Sequence, residues 1–181
     1  MAATTTLLTI EDFERLPANV AKGHELVDGE LVDVSGNVPR HNMLRDYFIA
    51  MLIPFVGDRG LGRVIGEQDY EVEGNAHGPD VSFFSPAEAL LVDRKKRVQR
   101  RFVPDLAVEI ASESDTYEGL LRKKDRYLRA GVSEVWLISP EAREVVIHTL
   151  RTARVLRGPD AIETDLLPGF SITVERLFQN L

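Results

Sequence analysis

The 181-residue chain has no cysteine, so a disulfide and a thiolate-held metal are both excluded. Any ion it binds must be met by carboxylate oxygens or by its four histidines. Such donors suit hard ions such as Mg²⁺ or Mn²⁺. Long hydrophobic runs are missing too. The longest, Phe48 to Val56, is interrupted by Pro54 and falls far short of a membrane span. The N-terminus has neither a basic segment nor a long apolar one, so no secretory leader is expected and a cytoplasmic location is. Positive charge is in deficit. The chain carries 22 basic against 29 acidic residues, a net charge of −7, and lacks the global attraction to nucleic acid that basic proteins have. Repeats, low-complexity tracts and linkers are also lacking, so one domain over residues 1–181 is expected.

What is present reads as alternating helices and strands. Thr9 and Asp12 approximate a capping box for a short helix that Pro17 ends. Asp28-Gly29 lies between two apolar-alternating runs and predicts a hairpin over His24–Val34. Glu25 and Glu30 flank that turn, where pattern alone reads them as surface acids. A stripe of Leu44, Tyr47, Phe48, Met51, Leu52 and Phe55 predicts a helix from Pro39 to about Ile53, kinked or ended by Pro54. His41, in its first turn, reads as a surface residue. Residues 63–73 read as one strand, 74–78 as a turn and 79–84 as the next strand, with Asp80 and Ser82 on one face. Six basic residues lie within Asp93–Arg101. They read either as a phosphate-contacting arm or as a solvated, partly disordered loop.

The segment Pro104–Tyr127 is the most informative. Leu106, Val108 and Ile110 alternate with Ala107 and Glu109, giving a strand with one large apolar face and one face bearing a lone acid. That acid could floor a cleft, or the strand could be an edge strand with Glu109 solvated. A helix follows, capped by Ser114 or Asp115 and stopped near Gly131. Glu109 lies roughly 10 Å before the strand's end. Lys123 lies roughly 10 Å into the helix, so the two charges can meet if the helix packs back on the strand. If the Asp80 strand is a neighbour, Asp80 joins the same cleft. Glu134–Ile138 reads as a strand buried on both faces. Glu144–Leu150 pairs back on it, two weaker strands follow, and Thr173–Gln179 reads as a terminal helix.

Glu25-Leu-Val-Asp-Gly-Glu30, His41 opening a helix, Pro79-Asp80-Val, Pro104-Asp-Leu-Ala-Val-Glu109, Lys123 four before Tyr127, Ala130-Gly-Val-Ser-Glu-Val-Trp136 and Leu167-Pro-Gly-Phe170 stand in order. In this set the chain resembles the Uma2 (DUF820) family of PD-(D/E)xK, restriction-endonuclease-like nucleases. The resemblance implies an α/β fold, a restriction-endonuclease-like core with a central mixed sheet flanked by helices. It implies a metal-dependent endonuclease hydrolysing DNA phosphodiesters, with Asp80 and Glu109 as metal ligands for Mg²⁺ or Mn²⁺, and a homodimer. Ala111 occupies the usual lysine position. The resemblance moves that role to Lys123, although the helix's own periodicity leaves Lys124 as a rival. Glu25 is the candidate additional acid, with His41 a weaker one. Gly119 stands where relatives commonly carry an acid. A nuclease-fold protein that no longer cuts, acting as a binding or structural homodimer, is the alternative, and the charge of −7 favours it. A carboxylate-metal enzyme acting on a small phosphate ester is a third reading.

Overall fold

A computed structural model describes residues 7–34, 38–113 and 115–179. Helix α1 (Ile10–Arg15) starts on a reciprocal cap. Thr9 Oγ1 accepts from Asp12 N at 3.2 Å, and Asp12 Oδ2 accepts from Thr9 N at 3.0 Å. A single turn, α2 (Ala18–Ala21), follows Pro17. Strands β1 (His24–Val27) and β2 (Glu30–Asp33) form the expected hairpin. Asp28 and Gly29 both take positive φ, 52° and 85°, the two-residue geometry whose twist matches the flanking strands.

Helix α3 runs Pro39–Arg59, with Pro54 inside it, and stops at Gly60 with φ 63°. The expected end of the helix near Ile53 is therefore overturned. Leu44, Phe48, Leu52 and Val56 are all buried at four-residue steps, so packing continues on both sides of the proline. Pro54 and Ala50, whose carbonyl loses the helical N–H, are both exposed, where water can replace that bond.

The expected strand over residues 63–73 divides. Strand β3 (Arg63–Gly66) and strand β4 (Asp69–Val72) belong to different sheets, parted at Glu67, where φ is 52°. The expected turn at 74–78 is also corrected. Glu73-Gly74 alone makes the turn, and Asn75–His77 returns as strand β5, antiparallel to β4. The chain then forms β6 (Val81–Phe84), the short helix α4 (Pro86–Ala89), β7 (Val98–Gln99), β8 (Leu106–Ile110), α5 (Tyr117–Ala130) and β9 (Glu134–Ser139). Strands β10 (Glu144–His148), β11 (Ala153–Arg157), β12 (Ala161–Ile162) and β13 (Ile172–Thr173) lead to helix α6 (Val174–Leu177).

The main sheet has the order β11-β10-β9-β8-β6-β3 and is mixed, with β8 and β9 parallel and its other pairs antiparallel. A second sheet has the order β2-β1-β5-β4-β7. Strand β8 is thus a central strand, and all five of its residues are buried. Its Leu106, Val108 and Ile110 pack with α3 and α6, while Ala107 packs with Tyr70 and Val72 of β4 and Tyr127 and Leu128 of α5. The fold is the mixed α/β arrangement expected, with a second sheet covering part of one face. Among the described residues no helix is long and apolar enough to cross a membrane.

Candidate active site

Four charged side chains converge where β1, β6, β8 and α5 meet. Strand register explains two of them. Val81 pairs with Val108 and Ser82 with Ala107, so the next step along this antiparallel pair sets Asp80 opposite Glu109. Asp80 Oδ2 accepts the backbone N–H of Ile110 at 2.7 Å, and His41 Nε2 lies 3.1 Å from Oδ1. His41 is buried, not a surface residue. Burial opposes its protonation, but Asp80 outweighs that and raises its pKa.

Helix α5 delivers the third. Its cap is Thr116, whose Oγ1 accepts from Gly119 N at 3.0 Å. Of the two expected caps, Asp115 instead accepts from Ser112 N at 2.7 Å, and Ser114 lies outside the described residues. Lys123, Arg126 and Tyr127 fall on one face of α5 by the three- and four-residue rule. Lys123 Nζ reaches Glu109 Oε1 at 2.9 Å and Glu25 Oε1 at 2.8 Å. Lys124 turns away to Asp125 at 2.5 Å. Tyr127 donates its hydroxyl to Glu109 Oε1 at 2.9 Å. Asp105 serves elsewhere, accepting from Ser85 N.

Glu25 is buried as well, against its reading as a surface acid. Besides Lys123 it takes the N–H of Gly78 at 2.9 Å and faces His77 Nδ1 at 2.8 Å. One ammonium thus serves two carboxyls, and their environments push them apart. Burial disfavours the Glu25 carboxylate, but Lys123 and His77 outweigh it and hold the group down at about 2. For Glu109, burial and then the charges of Asp80 and Glu25 prevail over Lys123 and push it up to about 8. Lys123, although buried, is held firmly protonated by the two glutamates.

These groups line a cleft of about 1340 Å³ whose wall includes charges of both signs. Three neighbours were missed in the sequence. Asp69 lines the cleft and is pushed up to about 7, by burial and then by Glu25. His77 was hidden in the presumed turn, yet Glu73-Gly74 followed by a short polar-apolar run is itself a hairpin signal. Arg126 was available from helical spacing, three residues after Lys123. Three residues of the basic run are paired within the fold, while Arg94, Lys95 and Arg101 are exposed. Arg97 stacks on Phe13 at 3.9 Å and approaches Asp69 at 3.5 Å, Lys96 pairs with Glu14, and Arg100 pairs with Glu11 and Glu71.

The Uma2 family model, described as "Putative restriction endonuclease", matches residues 10–175. None of the curated proteins matches the chain. Among solved structures, a protein of Anabaena variabilis described as "a putative nuclease belonging to DUF820" is similar, with TM-score 0.84 and 18% identity. That match covers 95% of this chain and 98% of the other, and it shows a shared fold. A second match is to a chain of the DrdV–DNA complex, with TM-score 0.44 and 18% identity over 67% of this chain and 10% of the other.

Proposed function

The chain belongs to the Uma2 family, and from that premise we propose that it is a metal-dependent endonuclease that hydrolyses phosphodiester bonds of DNA. The observation that carries the reading is Lys123 Nζ held between Glu25 and Glu109, at 2.8 and 2.9 Å, in a cleft that Asp80 also lines.

The donors fit a hard divalent ion. Glu109 and Asp80 offer oxygen only, and Glu109, raised first by burial and then by the charges of Asp80 and Glu25, is a carboxyl that a nearby cation would help to ionise. Among the described residues no three or more His, Cys, Asp or Glu side chains are grouped as a metal cage. Mg²⁺ keeps several waters and takes one or two carboxylates together with substrate phosphate. Asp80 and Glu109 would hold the ion, which supplies Lewis acidity toward phosphate and a more acidic bound water.

The chain's own groups do the rest. Lys123 carries a fixed positive charge to neutralise the developing negative charge on the phosphoryl group and orients the attacking water. Glu25 keeps Lys123 charged and in place. Tyr127, whose pKa burial raises well above the ordinary value, remains a hydroxyl and donates to Glu109. The N–H of Ile110 holds Asp80. A homodimer in the cytoplasm is the assembly and location this reading carries. A silent nuclease fold, acting as a binding or structural homodimer, is the second reading. It is favoured by the net charge of −7 and by both Glu109 oxygens already having partners in Lys123 and Tyr127.

The test is cleavage of DNA and RNA substrates with Mn²⁺ or with chelator, using wild type, Glu109→Ala and Lys123→Ala. DNA cutting that needs the ion and falls about 10²–10³-fold in each variant is expected. Cutting that survives both substitutions overturns the site. No cutting, and no rise in melting temperature with Mn²⁺, establishes the silent reading instead.

A further inference from the structure

We propose that His77 is a positioning residue: braced from behind by Arg126, it presents its Nδ1 proton to Glu25 and so fixes the carboxylate that carries Lys123. The inference rests on the proposed role of Lys123 for its catalytic meaning. The arrangement itself stands on contacts that reading does not use.

His77 is buried and its two ring nitrogens face opposite partners. Nδ1 is 2.8 Å from Glu25 Oε2, while Nε2 is 3.5 Å from Arg126 Nη1. A guanidinium only donates, so a ring facing it through Nε2 must keep its lone pair there. The ring proton then resides on Nδ1, where the carboxylate of Glu25 accepts it. Arg126 is held in turn. Asp28, at the hairpin tip, takes its Nη2 with both oxygens at 2.6 and 2.7 Å. Asn75 Oδ1 accepts from Asp28 N at 2.7 Å, and Asn75 Nδ2 donates to the carbonyls of Val72 and Glu73. The two hairpin turns, β1–β2 and β4–β5, are therefore tied to each other and to α5. The His77 ring also meets Tyr127 edge-on, with centroids 5.9 Å apart, and Tyr127 bonds Glu109. The relay runs from Asp28 through Arg126 and His77 to Glu25 and Lys123. With the Gly78 N–H and Lys123 on Oε1, His77 is the donor to Oε2 that sets the rotation of the Glu25 carboxylate. Partners of this kind fix the orientation of active-site ligands, and their loss typically costs about 10–100-fold in activity.

Two measurements test the relay. Histidine-selective ¹⁵N NMR of the intact protein, with the His77 signals assigned by their loss in His77→Asn, should find the ring proton on Nδ1. Arg126→Met should leave that proton on Nδ1 against Glu25 and let Nε2 take up a second proton at a higher pH than in wild type. The second uses side-chain amides as partial mimics of the ring. Asn places its N–H₂ near Nδ1 and Gln near Nε2. With Mn²⁺ and DNA, His77→Asn should stay within about threefold of wild type, and His77→Gln should fall about 10–100-fold. A residue that merely fills space would give equal losses in both. A ring proton on Nε2 in wild type, or equal losses, overturns the proposal. If wild type cuts nothing, the endonuclease reading falls, and the position of the ring proton alone decides the relay.

Discussion

The two faces of β8 are held by different physics. On one, Leu106, Val108 and Ile110 share a buried apolar cluster with the Leu44–Phe48–Leu52–Val56 stripe of α3. Stability there follows buried area and is roughly additive. On the other, one residue away along the same strand, Glu109 meets Lys123, Tyr127 and the charges of Glu25 and Asp80. The charge pairs of that face contribute little net stability, because each charge was stripped of water to reach its partner. Its groups hold one another in place, and removing one strands the others. The difference teaches that a single buried strand can be a structural beam on one side and a reactive surface on the other.

The sharpest way to break the comparison is to remove the shared cation. Lys123→Met should cost about 5 kcal/mol in urea unfolding, since one ammonium serves two buried carboxyls. The triple variant Glu25→Gln, Glu109→Gln, Lys123→Met should recover most of that loss. A Lys123→Met change as mild as a surface substitution would refute the view that the charges depend on each other. On the apolar face, Leu52→Ala should cost about 3 kcal/mol from lost burial and the cavity left behind. It should leave any Mn²⁺-induced rise in melting temperature intact. A lost rise would mean the faces are coupled.

The smallest effect concerns Asp69. Its folded pKa, at about 7, lies above the ordinary carboxyl value of 3.8, so the folded protein holds this proton more tightly than the unfolded chain does. The resulting stability is full below pH 3.8 and is lost as pH rises through about 7. Asp69→Asn stays neutral throughout. It should raise the melting temperature at pH 8 by about 3 °C and leave it unchanged at pH 3.5. Equal shifts at both pH values would show that burial does not burden this acid.

Much of this was legible from local pattern. The alternation at 106–110 and the levelling of Glu109 with Lys123 needed only strand rise and helical pitch. The Asp28-Gly29 turn and the Thr9–Asp12 cap needed only short-range hydrogen bonding. His41 and Glu25 were misjudged as surface residues, because burial depends on what packs over a residue from afar. Asp80 covers His41 and α5 covers Glu25, and both contacts cross long sequence separations. Helical periodicity did not settle the choice between Lys123 and Lys124, which rested on the resemblance to Uma2, for a related reason. Lys124 lies nearer the middle of the apolar stripe and Lys123 at its edge, and only the roll of α5 against β8 decides which ammonium faces Glu109.

The sequence by itself therefore determined most of the elements, the acid on β8 and the lysines able to meet it, since these follow from periodicity and side-chain chemistry. Tertiary structure alone decided that residues 63–73 change sheets, that His77 and Arg126 brace Glu25, and that one lysine is divided between two acids. Those outcomes arise from contacts between segments distant in the chain, whose energies no local pattern records.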